Sequence, residues 1–213
     1  MPLVTRFFWR DIDLKWYPEA CLSHPQSKGF YTVQHFMEGI SMPGAEVLCI
    51  RDWRARLTSR QPMEQTTPLV IAETLNGAVA EIFASLDSLR EAAREDSELQ
   101  NTVNDCEAMA WLGRYYASKI RGACALALFD TNGDTFEHDA AIRHLEDALA
   151  HWKKYAAVRD AHYVPALYNR VGYVDITALT EKVAADLDIA RNWNPGTLHD
   201  DGNRADTERG FRK

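Results

Sequence analysis

From residue 67 to residue 192 the apolar positions recur every three or four residues, the spacing that lays one face of an α-helix against a core. Thr67-Pro68 supplies an N-cap and a proline at the first helical position. Leu75, Val79, Ile82, Leu86 and Leu89 then form a single stripe. A second helix is predicted from about Ser97 to Phe129, with Leu99, Val103, Ala110, Leu112, Tyr116, Ile120, Ala123 and Ala127 facing inward. A third, from about Phe136 to Val158, presents Ala141, Leu145, Ala148, Trp152 and Tyr155. A fourth, from about Ile176 to Trp193, presents Leu179, Val183, Leu187 and Ala190. Short connections make consecutive helices antiparallel neighbours, so the expected class is mainly α, an antiparallel bundle of four long helices.

Before residue 60 the pattern changes. Val4–Asp13 is rich in aromatic and β-branched residues and reads as a strand. Val33, Phe36 and Met37 space a short helix within Phe30–Glu38, with Gly39 placed to end it. Pro43-Gly44 makes a turn, and the apolar run Val47–Ile50 has the form of a buried strand. Strand, helix, turn and strand give the order of a βαβ unit. Three regions are therefore expected: a small α/β segment over 1–60, a helical bundle over 67–193, and a disordered tail over 194–213, where polar residues and glycines break all periodicity.

Composition narrows the function classes. The formal net charge of −7 does not suit a nucleic-acid binder, which needs a basic face. No uninterrupted apolar run approaches the roughly 18–20 residues of a membrane span, so no membrane partner is expected. Met1–Arg10 lacks the apolar core of a secretory signal, so a complete chain would be cytoplasmic. Of the four cysteines, Cys21, Cys49, Cys106 and Cys124, the last two fall on one predicted helix, about 27 Å apart at 1.5 Å per residue. A disulfide spans no more than about 7 Å between Cα atoms, so that pair cannot join, and the cysteines read as free thiols.

Two groupings resemble metal sites. Asp130-Thr131-Asn132-Gly133-Asp134 fits the first positions of a calcium loop, but Thr135 and Ala141 stand where glycine and a bidentate glutamate are needed. It reads better as a helix stop and turn. His144, Asp147 and His151 share a helix face beside the apolar stripe and read as the margin of a solvated surface. No metal and no other cofactor is expected.

Chemistry is denser in two other places. Asp13 and Glu19 lie at or just beyond the end of the first candidate strand, with Trp16, Tyr17, His24 and Trp53 near them in sequence. Paired carboxylates cleave glycosidic bonds, and aromatic faces stack on the apolar faces of sugar rings. The stretch Arg159–Ile176 interrupts the helices with Asp160, His162, Tyr163, Tyr168, Asn169, Arg170 and Tyr173, a polar and aromatic set on a long connection.

The stretches "DIDLKWYPEACLSHPQSKGFYTVQHFMEGISMPG", "EAMAWLGRYYASKIRGACALALFD" and "HWKKYAAVRDAHYVPALYNR" resemble the C-terminal portion of large bacterial multidomain glycoside hydrolases similar to α-glucuronidases. In such proteins a helical domain follows a (β/α)8 barrel. The resemblance implies that Val4–Arg51 corresponds to the last barrel units and residues 67–192 to the helical domain. A barrel takes about 250 residues, so only about a quarter of one fits here. Glu19 and Asp13 become the catalytic candidates, at the rim where barrel sites form. Trp16, Tyr17, His24, Trp53, His162 and Tyr163 become the substrate-binding candidates, and a carbohydrate the expected ligand. The alternative is a non-catalytic helical interaction module, in which the open edge of an incomplete sheet pairs with a second copy to give a homo-oligomer.

Overall fold

A computed structural model describes Val4 and residues 30–42, 44–168 and 172–198. Its elements are α1 (Val33–Glu38), α2 (Ile50–Thr58), α3 (Pro68–Ala92), α4 (Ser97–Asn132), α5 (Thr135–His162), β1 (Ala166–Tyr168), β2 (Gly172–Val174) and α6 (Thr180–Arg191). The protein is mainly α, a bundle of packed helices with, among the described residues, one small antiparallel hairpin. The long helices begin where the local chemistry dictates. Thr67 accepts from the Val70 amide, and Asp96 from Glu98 and Leu99. Asp134 caps α5 by accepting from Phe136. Gly133 ends α4 in the left-handed region at φ 67° and donates to the Phe129 carbonyl, so the calcium-like run is a helix stop followed by a cap. Among the described residues no group of three His, Cys, Asp or Glu side chains converges on a metal position.

Helix α4 is the axis of the bundle. Tyr115, Tyr116, Ala117, Lys119 and Ile120 are all buried, although they point in every direction around the helix. This happens because α3 and α5 pack on its two flanks and α1 and α2 on a third side. Small residues set the approach. A Cβ on Gly122 would lie 2.9 Å from Leu145 Cγ, and one on Gly113 2.7 Å from Val79 Cγ2. Trp152 of α5 meets Phe30, Tyr115 and Tyr155 edge-on at centroid separations of 5.7, 5.0 and 5.3 Å, which joins the N-terminal segment to the bundle core.

Several local expectations are corrected. Val47–Ile50 is not a strand: Val47 makes one isolated parallel bridge to Thr66, and Ile50 already begins α2. A four-residue apolar run is compatible with either state, and the helical spacing of Ile50, Trp53 and Arg54 decided it. The βαβ order is therefore not present among the described residues, and the candidate strand Val4–Asp13 lies outside them apart from the buried Val4. The fourth bundle helix starts at Thr180, since Asp175 first caps a separate turn by accepting from Ala178. Leu89 and Leu99 are exposed near the α3–α4 connection, past the depth at which other helices cover them. Helix α3 is long and apolar enough to cross a membrane by length and composition, contrary to the count of uninterrupted runs. Its stripe Ile71, Leu75, Val79 and Leu86 is buried in the bundle.

Two buried ion pairs tie the N-terminal segment to the bundle, and no local sequence pattern announces either. Lys119 of α4 is fully buried; its Nζ lies 2.7 Å from Asp186 Oδ2 of α6 and also donates to the Tyr31 carbonyl and the Tyr115 hydroxyl. Asp186 Oδ1 accepts from the Val33 amide at the start of α1. Arg54 of α2 donates to Asp130 Oδ2 at 3.0 Å. The other oxygen of Asp130 accepts from the Trp193 indole and from the amides of Thr197 and Leu198. The first residues of the expected disordered tail, up to Leu198, are thus folded back as a hook, with Leu198 buried; residues beyond 198 lie outside the described ones.

Candidate functional site

The described chemistry gathers at the end of α5, where the sequence placed a long loop. The helix runs further than expected, through Arg159 and Asp160 to His162. Pro165 disfavours helical geometry at Val164, and Tyr163 has already left the helix at φ −136°. The chain then turns back through β1 and β2, paired in register from Ala166↔Val174 to Tyr168↔Gly172. So the polar and aromatic set is divided between a helix terminus and a hairpin, with a cleft between them.

That cleft is lined by Arg159, Asp160, Tyr163 and the apolar Val164, Val174 and Ile176, and holds about 290 Å³ of space, open solvent included. The part of that space a water-sized molecule can enter is about 20 Å³, so the cleft is a shallow one. Tyr163 is fixed on two sides. Its hydroxyl donates to Asp105 Oδ1 of α4 at 2.7 Å, and the Arg159 guanidinium lies 4.0 Å from its ring centroid. Arg159 Nε is buried without a hydrogen-bond acceptor among the described residues. Asp160 accepts a hydrogen bond from the Thr177 hydroxyl. His162 Nδ1 stands 3.4 Å from Asn104 Nδ2. Asn104 and Asp105 are the residues that sequence reasoning missed: they lie 58 positions from their partners, and no local pattern marks them.

The remaining sequence candidates are placed differently. Trp53 is 4% exposed and packs in the core from α2, so its ring face is not open to a sugar. Glu19, Asp13, Trp16, Tyr17 and His24 lie outside the described residues. His144 and His151 border the α4–α5 seam; His151 Nδ1 is 3.2 Å from Ser118 Oγ, and its ring stacks on Trp111. Burial, with Arg121 next, lowers the pKa of His144; burial also lowers that of His151, against the opposing charge of Asp147. Cys49, Cys106 and Cys124 are free, and burial pushes the Cys124 thiol far above its usual range.

Among known proteins, no family signature and no curated sequence matches the chain. A solved structure does, that of a "GH138 enzyme targeting pectin rhamnogalacturonan II", 16% identical, with a TM-score of 0.60. The match covers 67% of this chain and 22% of that one, so the chain spans well under a third of the enzyme's length. At this identity the likeness is one of fold: the present helices are arranged like part of that much larger enzyme.

Proposed function

We propose that the chain is a glycoside-hydrolase-like, carbohydrate-active protein whose cleft at the end of α5 binds a polysaccharide-derived glycan. The observation that supports this most is the likeness of two thirds of the chain to part of an enzyme described as targeting pectin rhamnogalacturonan II. The cleft supplies suitable contacts, with an aromatic ring held by Arg159 and Asp105 and a carboxylate at Asp160. Hydrolysis needs a second carboxylate across the scissile bond. Asp105 and Asp160 are already engaged by Tyr163 and Thr177, so the described residues are suited to binding, and Glu19 and Asp13 are the proposed catalytic pair. The narrower likeness to α-glucuronidases rests on the quoted sequence stretches.

Titration of pectin-derived and neutral oligosaccharides against the chain, followed by NMR or calorimetry, tests the reading. Saturable binding weakened at least about tenfold in Tyr163→Ala is expected, since a lost stacking contact of about 1.4 kcal/mol is a factor of ten. No binding across the panel, or equal binding by the variant, would sink it.

The second reading, a non-catalytic interaction module, is supported by the hairpin region, where Val164 just before β1 is 84% and Tyr173 of β2 67% exposed. It predicts an assembly whose mass rises with concentration in sedimentation velocity and falls back in Tyr173→Ser. A chain that stays monomeric at all concentrations counts against it.

A further inference from the structure

Helix α2 carries two buried arginines with opposite fates. Arg54 has its carboxylate, Asp130, from α4. Arg51, one turn earlier, is 2% exposed, and both terminal nitrogens of its guanidinium are buried without any hydrogen-bond acceptor among the described residues. A carboxylate oxygen of Asp52 stands 4.0 Å from Nε, beyond hydrogen-bonding distance. Adjacent residues do not face each other on a helix, and the Asp52 side chain is 49% exposed, directed toward water. Arginine cannot shed its charge to escape burial as lysine or histidine can. With Asp52 in a long ion pair at Nε and no acceptor among the described residues at either terminal nitrogen, the fork is open to a further anion.

Nothing else described at this turn supplies that anion. Cys49 is the N-cap residue, makes no side-chain capping bond, and turns its thiol to Asp52. Burial, with the Asp52 charge next, pushes its thiol up to about 11, so it is neutral at pH 7 and contributes no counter-charge. The start of α2 thus adds the positive end of its peptide dipoles to the positive fork of Arg51.

We propose that the Arg51 fork and the N-terminus of α2 form a receptor for a carboxylate. The planar guanidinium matches a carboxylate in two parallel N–H···O bonds, a geometry that an ammonium cannot reproduce. The carboxylate comes from a small free acid or from an acidic sugar, and the same two bonds serve either.

The test uses the full chain. Sodium acetate and sodium D-galacturonate are titrated separately against sodium chloride at matched ionic strength, and the melting temperature is recorded. In the wild type at least one of the two carboxylates produces a saturable rise that chloride does not. Acetate acting alone identifies a small-acid site; galacturonate acting alone, or at much lower concentration, identifies a sugar-borne carboxylate. Arg51→Met shows no such rise, and Arg51→Lys binds at least about tenfold more weakly because it keeps the charge but loses the fork. Arg51→Met also melts no lower than the wild type in chloride alone, since it removes a buried charge whose terminal nitrogens have no acceptor among the described residues and keeps the aliphatic stem. A wild type that responds to neither acid overturns the proposal. So does an equal response in Arg51→Met, or a large loss of stability of that variant in chloride, which would mean that the fork is already satisfied within the chain. The acetate titration is indifferent to whether the hairpin cleft binds glycan.

Discussion

Removing Lys119 tests the packing logic of the bundle most directly. Its ammonium has three donors, and the structure uses all of them: on Asp186 at 2.7 Å, on the Tyr31 carbonyl at 2.6 Å and on the Tyr115 hydroxyl at 3.0 Å. Three aromatic rings, of Phe30, Phe36 and Tyr115, surround the charge at 4.8–5.5 Å. Lys119→Met preserves most of the volume but leaves Asp186 buried without its counter-charge. Breaking a buried pair from one side costs about 3–5 kcal/mol, against a total stability of about 5–15 kcal/mol for a domain. Asp186→Leu is expected to cost a similar amount for the converse reason. Additive losses would reach about 6–10 kcal/mol. The double variant removes both charges and leaves chiefly the Val33 amide without its acceptor, at about 1–3 kcal/mol. Urea unfolding of the four proteins measures this cycle. The pH dependence gives a second readout. Burial raises the Asp186 pKa above its usual 3.8, and the Lys119 charge opposes the rise. A raised carboxyl pKa contributes stability that is complete below the unfolded value and is lost as pH climbs through the folded one. Without Lys119 the rise is larger, so the deficit of Lys119→Met is small near pH 3.8 and grows as pH increases. A single-variant cost under about 1 kcal/mol, additivity in the double variant, or a deficit that shrinks with rising pH would refute the reasoning.

Two further outcomes follow from the seams of α4. Gly122→Ala places a methyl 2.9 Å from Leu145 Cγ and 3.3 Å from the Ala141 carbonyl and is expected to destabilise by about 1–3 kcal/mol, whereas Gly77→Ala, with nothing within 4 Å, stabilises α3 by about 0.5–1 kcal/mol. Thermal melts of the two variants should move in opposite directions; movement in the same direction contradicts the close α4–α5 approach. His144 and His151 have pKa values lowered from 6.5, chiefly by burial, so the unfolded chain takes up their protons first. Their contribution is present above about pH 6.5 and lost as pH falls through the lowered folded values. The melting temperature should drop between about pH 7.5 and about pH 5, and less steeply in the His144→Gln/His151→Gln variant; an unchanged slope in that variant would remove these histidines from the account.

The sequence by itself determined the parts of this protein that depend on neighbouring residues. Thr67-Pro68, Asp96, Gly133 and Asp134 start and stop helices through bonds to amides within a few positions, and the stripe from Ala141 to Tyr155 marks the buried face of α5. Of the candidate site, Tyr163 and His162 were legible as part of a polar and aromatic set, although His162 is the last residue of α5 and not part of a loop. Their supports Asn104 and Asp105 were not, since the bonds span 58 positions. The tertiary structure alone decided that Val47 makes one isolated bridge to Thr66 and no strand, because a short apolar run does not name its partner. It alone buried Lys119, Arg54 and Arg51, charged residues that a single-helix pattern assigns to solvent. The physical reason is the same each time. Periodicity is set by covalent neighbours, while the environment of a charge is set by which distant elements close around it. Around α4 those elements arrive from three sides, bringing Asp186 to Lys119 and Asp130 to Arg54, and no acceptor among the described residues to the ends of Arg51.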